Sequence, residues 1–165
     1  MAPQVFVSYS HADAAQKAEF VKYLRMLEMT GKAKLWTDGE LVDGMPWDQP
    51  IKDALAASEI VLVLVTMNTL VSNYISRVEL SGAYEKYDQG KGRVICVIMD
   101  DCPWENLPVG ISKSDGTPYK LGDFQAILPF GKAIYAPDQG SLASAMTEAY
   151  KRIEKSIDQW VASKS

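Results

Sequence analysis

The run Ile60-Val61-Leu62-Val63-Leu64-Val65 constrains the fold more than any other segment. A strand wetted on one side alternates apolar and polar residues. A strand apolar at every position is covered on both faces, which is the habit of a central strand in a parallel sheet. Val94 to Met99 repeats the pattern, and Val5-Phe6-Val7 with Tyr9 is a shorter version near the N-terminus. Lys34-Leu35-Trp36-Thr37 and Ala133-Ile134-Tyr135 read as two weaker strands.

Helical spacing fills the intervals. Ala18, Val21, Leu24 and Leu27 recur at threes and fours within Ala14 to Met29, with Asp13 as a candidate N-cap and Gly31 as a stop. Trp47 to Ala57 reads as a short helix with Pro50 in its first turn, where a missing N–H costs little. A third helix, capped by Ser72 or Asn73, is expected to run to about Tyr87. A last one runs from Leu142 to about Ala162 with Met146, Ala149, Tyr150, Ile153, Ile157 and Trp160 on one stripe. Asp100 to Pro129 is long and irregular, with Tyr119, Phe124 and Leu128 expected to cover a sheet edge.

Alternating strands and helices predict an α/β fold: a flavodoxin-like five-stranded parallel sheet, order 2-1-3-4-5, with helices on both faces. In such sheets ligands bind beyond the carboxyl ends of the strands where the order reverses. Three loops are therefore singled out: Ser8 to Asp13, Thr37 to Trp47 and Thr66 to Ser76.

Composition removes several functions. Seventeen Lys+Arg against 21 Asp+Glu give a net charge of −4, so the basic field that drives nucleic-acid affinity is missing. No apolar run approaches the length of a membrane span. Met1-Ala2-Pro3-Gln4 has no signal-peptide character, so cytoplasmic residence and reduced thiols at Cys96 and Cys102 are expected. The 165 residues fit one domain. One histidine, His11, and two cysteines make neither a multi-histidine nor a zinc-ribbon site. No Gly-x-Gly-x-x-Gly, Walker or Gly-x-Ser-x-Gly pattern occurs. A receiver domain needs an Asp at the end of its third strand, where this chain has Val65-Thr66-Met67-Asn68.

Carboxylates remain. Asp38, Glu40, Asp43 and Asp48 crowd the second loop, and Glu79 stands near the start of the third helix. A helix N-terminus facing the ligand crevice keeps such an acid ionised.

Taken in order, these residues resemble a Toll/interleukin-1 receptor (TIR) domain of the bacterial kind. Val5 to Ser10 followed by Asp13 is similar to the family's first box. Trp36-Thr37-Asp38, Gly44, Trp47, Ile51, Ala54-Leu55 and Ser58 resemble the second strand, the BB loop and helix B. Ile60 to Thr66, Ser72, Tyr74 and Glu79-Leu80 resemble the third strand and the start of helix C, and Cys102-Pro103-Trp104 the segment after the fourth. The resemblance implies one of two functions. Many members are NAD⁺ glycohydrolases, some of which cyclise the product. Others are non-enzymatic adaptors that self-associate in signalling.

On the enzymatic reading, Glu79 is the catalytic residue; Ser8, Tyr9, Ser10, Asp38, Gly44 and Tyr74 line the NAD⁺ site; and Leu41, Val42, Met45 and Trp47 of the BB loop make contacts between copies. NAD⁺ is then a substrate, with no resident cofactor or metal, and the expected partners are NAD⁺ and further copies of the domain. The resemblance also implies activation by assembly, a place in bacterial antiphage defence, and one module of a longer protein. The family's tryptophan four residues before the glutamate is replaced here by Ile75, next to Tyr74. A nucleoside deoxyribosyltransferase-like enzyme, which also uses a glutamate on this kind of sheet, is a more distant alternative.

The chemistry suits a lone acid. Glycoside hydrolysis ordinarily needs a second carboxyl to protonate the leaving group. Nicotinamide leaves a cationic pyridinium as a neutral molecule and needs no such acid. One carboxylate that orients the ribose hydroxyls and faces the developing positive charge is enough.

Overall fold

The structure is a computed structural model. It describes residues 2–41, 49–72 and 78–164, and for 38–41 and 78–79 it describes the backbone. Strands β1 (Gln4–Ser10), β2 (Lys34–Leu41), β3 (Ile60–Val65), β4 (Arg93–Ile98) and β7 (Gln125–Ile127) form one parallel sheet in the order β2-β1-β3-β4-β7. This is the expected order, with β7 as the fifth strand of the sheet. Strands β5 (Pro108–Ser112) and β6 (Pro118–Lys120) pair antiparallel as a separate hairpin.

Each face of the sheet carries its own core, as the apolar run of β3 requires. Val61, Val63 and Val65 face one cluster, with Phe6, Leu55, Leu80 and Tyr84. Ile60, Leu62 and Leu64 face the other, with Val5, Val7, Leu24 and Ile153. Helices α2 (Gln49–Ala57), α3 (Met67–Val71) and α4 (Val78–Asp88) cover the first face, and α1 (Ala14–Met29) and α5 (Leu142–Ser163) the second. Helix α1 has the expected limits and buries Phe20, Val21, Leu24 and Leu27. The stripe expected on α5 is buried at Met146, Ala149, Ile153, Ile157 and Trp160, with Ala145 added.

Four expectations change. Ala133 to Tyr135 is not the fifth strand. Its backbone makes two bonds at the end of β4, Ile134 N–H to Ile98 O (3.0 Å) and Tyr135 N–H to Met99 O (2.8 Å), and then turns away. The fifth strand lies inside the segment read as irregular; three residues at a sheet edge carry little apolar signal. Strand β2 continues through Leu41, so Asp38 to Leu41 are strand rather than loop. Met67 to Val71 is a short helix rather than a loop: Thr66 Oγ1 accepts from Thr69 N–H at its N-cap, and Ser72 closes its end instead of starting the next helix.

Candidate functional site

The order of the sheet reverses between β1 and β3, and the loops after these strands meet there. Their junction is polar, with Asp13 and Thr66 buried and Asn68 at its exposed edge. Asp13, 7% exposed, ends the turn after β1. Its Oδ2 accepts from Thr66 Oγ1 at 2.5 Å and its Oδ1 from Asn68 Nδ2 at 2.9 Å. Asp13 does stand at the N-cap of α1, yet its side chain makes no cap bond. Ser10, at the corresponding place before the 3₁₀ turn His11–Asp13, makes none either. Asp13, read as a helix cap, is instead oriented across the sheet toward Thr66 and Asn68.

The first-loop residues divide between the two faces. Ser8 pairs in register with Val63, which belongs to the α2/α4 side, and alternation puts Ser10 on that side as well. Ser8 is fully buried, and its hydroxyl has no hydrogen-bond partner among the described residues. Tyr9 packs with Val7 on the α1/α5 side, where Lys17 Nζ lies 4.6 Å from its ring centre. Two further buried polar atoms of the α2/α4 side lack partners among the described residues, Trp36 Nε1 and the Tyr84 hydroxyl. Burial, and the nearby Cys96, push the Tyr84 phenol well above its ordinary range.

Glu79 is in the first turn of α4. The next residues along this helix, Leu80, Ala83 and Tyr84, are buried against the sheet, so the helix start is held near the carboxyl end of the parallel strands. Asp38 and Leu41 lie in the second half of β2, whose Gly39, Glu40 and Leu41 pair with Ser8, Tyr9 and Ser10 after a register shift. That shift follows Phe6 and brings the end of β2 beside the buried serines. Val42, Gly44, Met45, Trp47 and Tyr74 lie outside the described residues.

On the α1/α5 side of the same sheet end, Asp100 follows β4. Gln16 Nε2 approaches its two carboxylate oxygens at 3.4 and 3.5 Å. Burial, with the negative charges of Asp13 and Asp101, raises the Asp100 carboxyl above its usual range against the opposing pull of Gln16. Burial likewise pushes the Cys96 thiol to about 12 and that of Cys102 to about 11, so neither is a ready nucleophile. Among the described residues no cluster of three or more His, Cys, Asp or Glu is arranged to hold a metal, and no helix is long and apolar enough to cross a membrane.

Supporting residues lie in the segment read as irregular, where Tyr119 and Phe124 were expected to cover a sheet edge. Phe124 stacks on Tyr84 (ring centres 5.3 Å apart) and Tyr119 (5.6 Å), and meets Tyr87 edge-on at 4.8 Å. The Tyr119 hydroxyl donates to Asp88 at 2.6 Å. Tyr119 and Phe124 thus brace the C-terminal half of α4, the helix that carries Glu79, rather than only a sheet edge. Their aromatic character was the one available hint.

The doubly wound parallel sheet, with its order reversal between β1 and β3, defines the flavodoxin-like class of α/β domains, in which ligands bind at this crevice. A family model described as the TIR domain matches residues 5–127, and the chain belongs to that family. An uncharacterized protein of Sinorhizobium fredii, y4lF, is 33% identical over 108 residues, 66% of this chain. Those residues are 33% of the relative, so the chain spans about a third of its length. Domains of this family generally self-associate, and the family includes NAD⁺-cleaving enzymes.

Proposed function

We propose that the domain cleaves NAD⁺ at the bond between nicotinamide and ribose, with Glu79 as the catalytic carboxylate. The observation that carries this reading is Ser8: a fully buried hydroxyl without a partner among the described residues, on the sheet face covered by the helix that Glu79 opens. Native structures satisfy nearly all buried polar groups, and an exception at a ligand crevice suits a group reserved for a ligand. Membership in a family that includes NAD⁺-cleaving enzymes supports NAD⁺ as that ligand.

In this mechanism the ribose C1′–nitrogen bond breaks and its electron pair stays on the pyridine nitrogen. Glu79 faces the positive charge that develops on the ribose and orients its hydroxyls. Water adds to C1′ and a proton is released to solvent. Ser8 and Ser10 line the substrate, with Asp38, Gly44 and Tyr74 completing the site, while Tyr9 supports the loop from the opposite face. The Leu41, Val42, Met45 and Trp47 segment meets a neighbouring copy, so turnover rises with assembly, and the setting is antiphage defence in the bacterial cytoplasm.

The test is nicotinamide release from NAD⁺ at rising protein concentration, with Glu79→Gln in parallel. The reading requires release by the parent, steeper than linear in concentration, and a loss on the order of a hundredfold or more in the variant. Silence of a crowded or artificially oligomerised parent sinks it. The domain is then an interaction module, the reading that Ile75 in place of the family's tryptophan favours.

A further inference from the structure

We infer that Asp13 is a positioning residue for this site: a buried carboxylate clasp that holds the loop after β1 in register with the segment leading from β3 toward Glu79. The inference rests on the proposed NAD⁺ cleavage for its catalytic consequence, but the clasp itself is a matter of geometry.

The proton directions in the clasp can be assigned. Thr69 Oγ1 donates its single proton to Leu64 O at 2.9 Å. It can then only accept, which it does from Thr66 N–H at 3.3 Å. Thr66 Oγ1 accepts from Thr69 N–H at 3.2 Å and gives its own proton to Asp13 Oδ2. Asn68 spends one amide proton on Asp13 Oδ1. An ionised carboxylate offers only acceptors, so Asp13 orders both donors at once. Hydrogen bonds to a charged, buried acceptor are among the stronger ones.

The connection matters because of what it joins. Ser8 and Ser10 precede Asp13 on β1 and its loop. Thr66 and Asn68 begin helix α3, a five-residue element that leads toward α4. A helix this short has little stability of its own. Its start is held by the Thr66–Thr69 capping box and by the carboxylate of Asp13, which comes from 53 residues earlier in the chain. Loss of the clasp therefore leaves the substrate-lining serines and the Glu79 segment on separately moving supports. Misplacing reacting groups by about 1 Å costs on the order of a hundredfold in rate. Such a defect acts on kcat, while substrate contacts made equally in the ground state keep KM.

The experiment is a donor–acceptor swap. Asn68→Asp places a second carboxylate against Asp13 and breaks the clasp by like-charge contact. The added acid at the first turn of α3 would by itself be mildly favourable there, so any defect reports the contact with Asp13. The double variant Asp13→Asn/Asn68→Asp restores the pattern: the asparagine oxygen accepts from Thr66 and its amide donates to the new aspartate. Two readouts are taken on variants that show the parent's circular dichroism. In steady-state NAD⁺ cleavage, kcat of Asn68→Asp should fall about tenfold to a hundredfold with KM within about threefold, and the swap should recover most of the loss. In amide hydrogen exchange, Thr69 and Leu70 should lose protection in the single variant and regain it in the swap, while Leu62 and Val63 stay protected.

Equal kcat in parent and Asn68→Asp, or a swap no better than the single variant, overturns the positioning role. Unchanged exchange at Thr69 and Leu70 overturns the clasp. A parent that releases no nicotinamide overturns the NAD⁺ reading instead, and the exchange pattern alone then decides whether Asp13 orders α3.

Discussion

Asp13 and Thr66 stand 53 residues apart in the chain and share a 2.5 Å hydrogen bond that ties the turn after β1 to the start of the short helix after β3. The bond is buried, and Thr66 serves at the same time as N-cap of α3. One hydroxyl therefore satisfies a helix end and a carboxylate. Thr66→Val removes both functions at nearly constant volume. Loss of the cap costs about 0.5–2 kcal/mol, and the deprived Asp13 oxygen adds about 1–3 kcal/mol. The urea midpoint of Thr66→Val should fall by about 1 M or more, since small domains lose about 1–3 kcal/mol per molar urea. Thr66→Ser, which keeps the hydroxyl, should lose less than half as much. Equal losses in the two variants would mean that the methyl group, not the hydroxyl, carries the stability of this junction.

Ser8 makes the opposite prediction. Its hydroxyl is buried without a partner among the described residues, and an unsatisfied buried hydroxyl costs about 1–3 kcal/mol. Ser8→Ala should leave the urea midpoint unchanged or raised, while nicotinamide release at low NAD⁺ falls several-fold. A protein that trades stability for a ligand contact shows this pairing. A clear loss of stability would show that the hydroxyl is bonded in solution. Unaltered kinetics would remove Ser8 from the substrate site.

Asp100 supplies a pH dependence. Burial comes first, then the charges of Asp13 and Asp101, in raising its carboxyl above the ordinary value of 3.8. A carboxyl whose pKa is higher in the folded state than in the unfolded one favours folding when protonated and opposes it when ionised. The ionised group therefore costs stability at neutral pH. The cost is relieved as pH falls through the folded value and is gone below the unfolded one. Asp100→Asn, which keeps an amide for Gln16 to meet, should raise the urea midpoint at pH 7. The advantage should shrink on acidification and close below pH 3.8. An advantage that stays constant with pH would assign the effect to packing instead of charge.

The sheet was readable where it is covered on both faces. The uniform apolar runs of β3 and β4 have no other economical use, and the periodicity of α1 and α5 follows directly from lying on that sheet. The edge was not readable. Gln125-Ala126-Ile127 pairs on one side only, so nothing in its composition separates it from a loop, whereas Ala133-Ile134-Tyr135 looks more strand-like and makes only two bonds to the end of β4. At the site, the place of Glu79 near the start of its helix was legible, because position after an apolar strand is local information. The start expected at Ser72 or Asn73 was not the one found: Ser72 ends α3, and α4 is described from Val78. The role of Asp13 was not legible. Its neighbours in sequence suggest a helix cap, and only the crossover from β1 to β3 brings Thr66 and Asn68 to its carboxylate. The division of Ser8 and Tyr9 between opposite faces follows from strand alternation once β1 is known to run through Ser10.

The aromatic brace on α4 leads to a prediction that separates support from chemistry. Phe124 is 4% exposed and contacts Tyr84, Tyr87 and Tyr119. Truncating a buried phenylalanine to alanine costs about 3–5 kcal/mol, and the rings facing it lose their stacking partner as well. Phe124→Ala should therefore lower the urea midpoint by about 1–3 M. Tyr119→Phe keeps the stacking and removes only the hydroxyl that meets Asp88 on the surface, a change of less than about 1 kcal/mol. Below its unfolding transition, Phe124→Ala should still release nicotinamide more slowly than the parent, because the helix that carries Glu79 has lost the packing that seats its far end. Tyr119→Phe should be close to the parent in both stability and rate. If Phe124→Ala is destabilised as expected yet keeps the parent's rate while folded, the position of Glu79 is set from the N-terminal side of α4 alone, and the hairpin and its aromatic residues serve stability only.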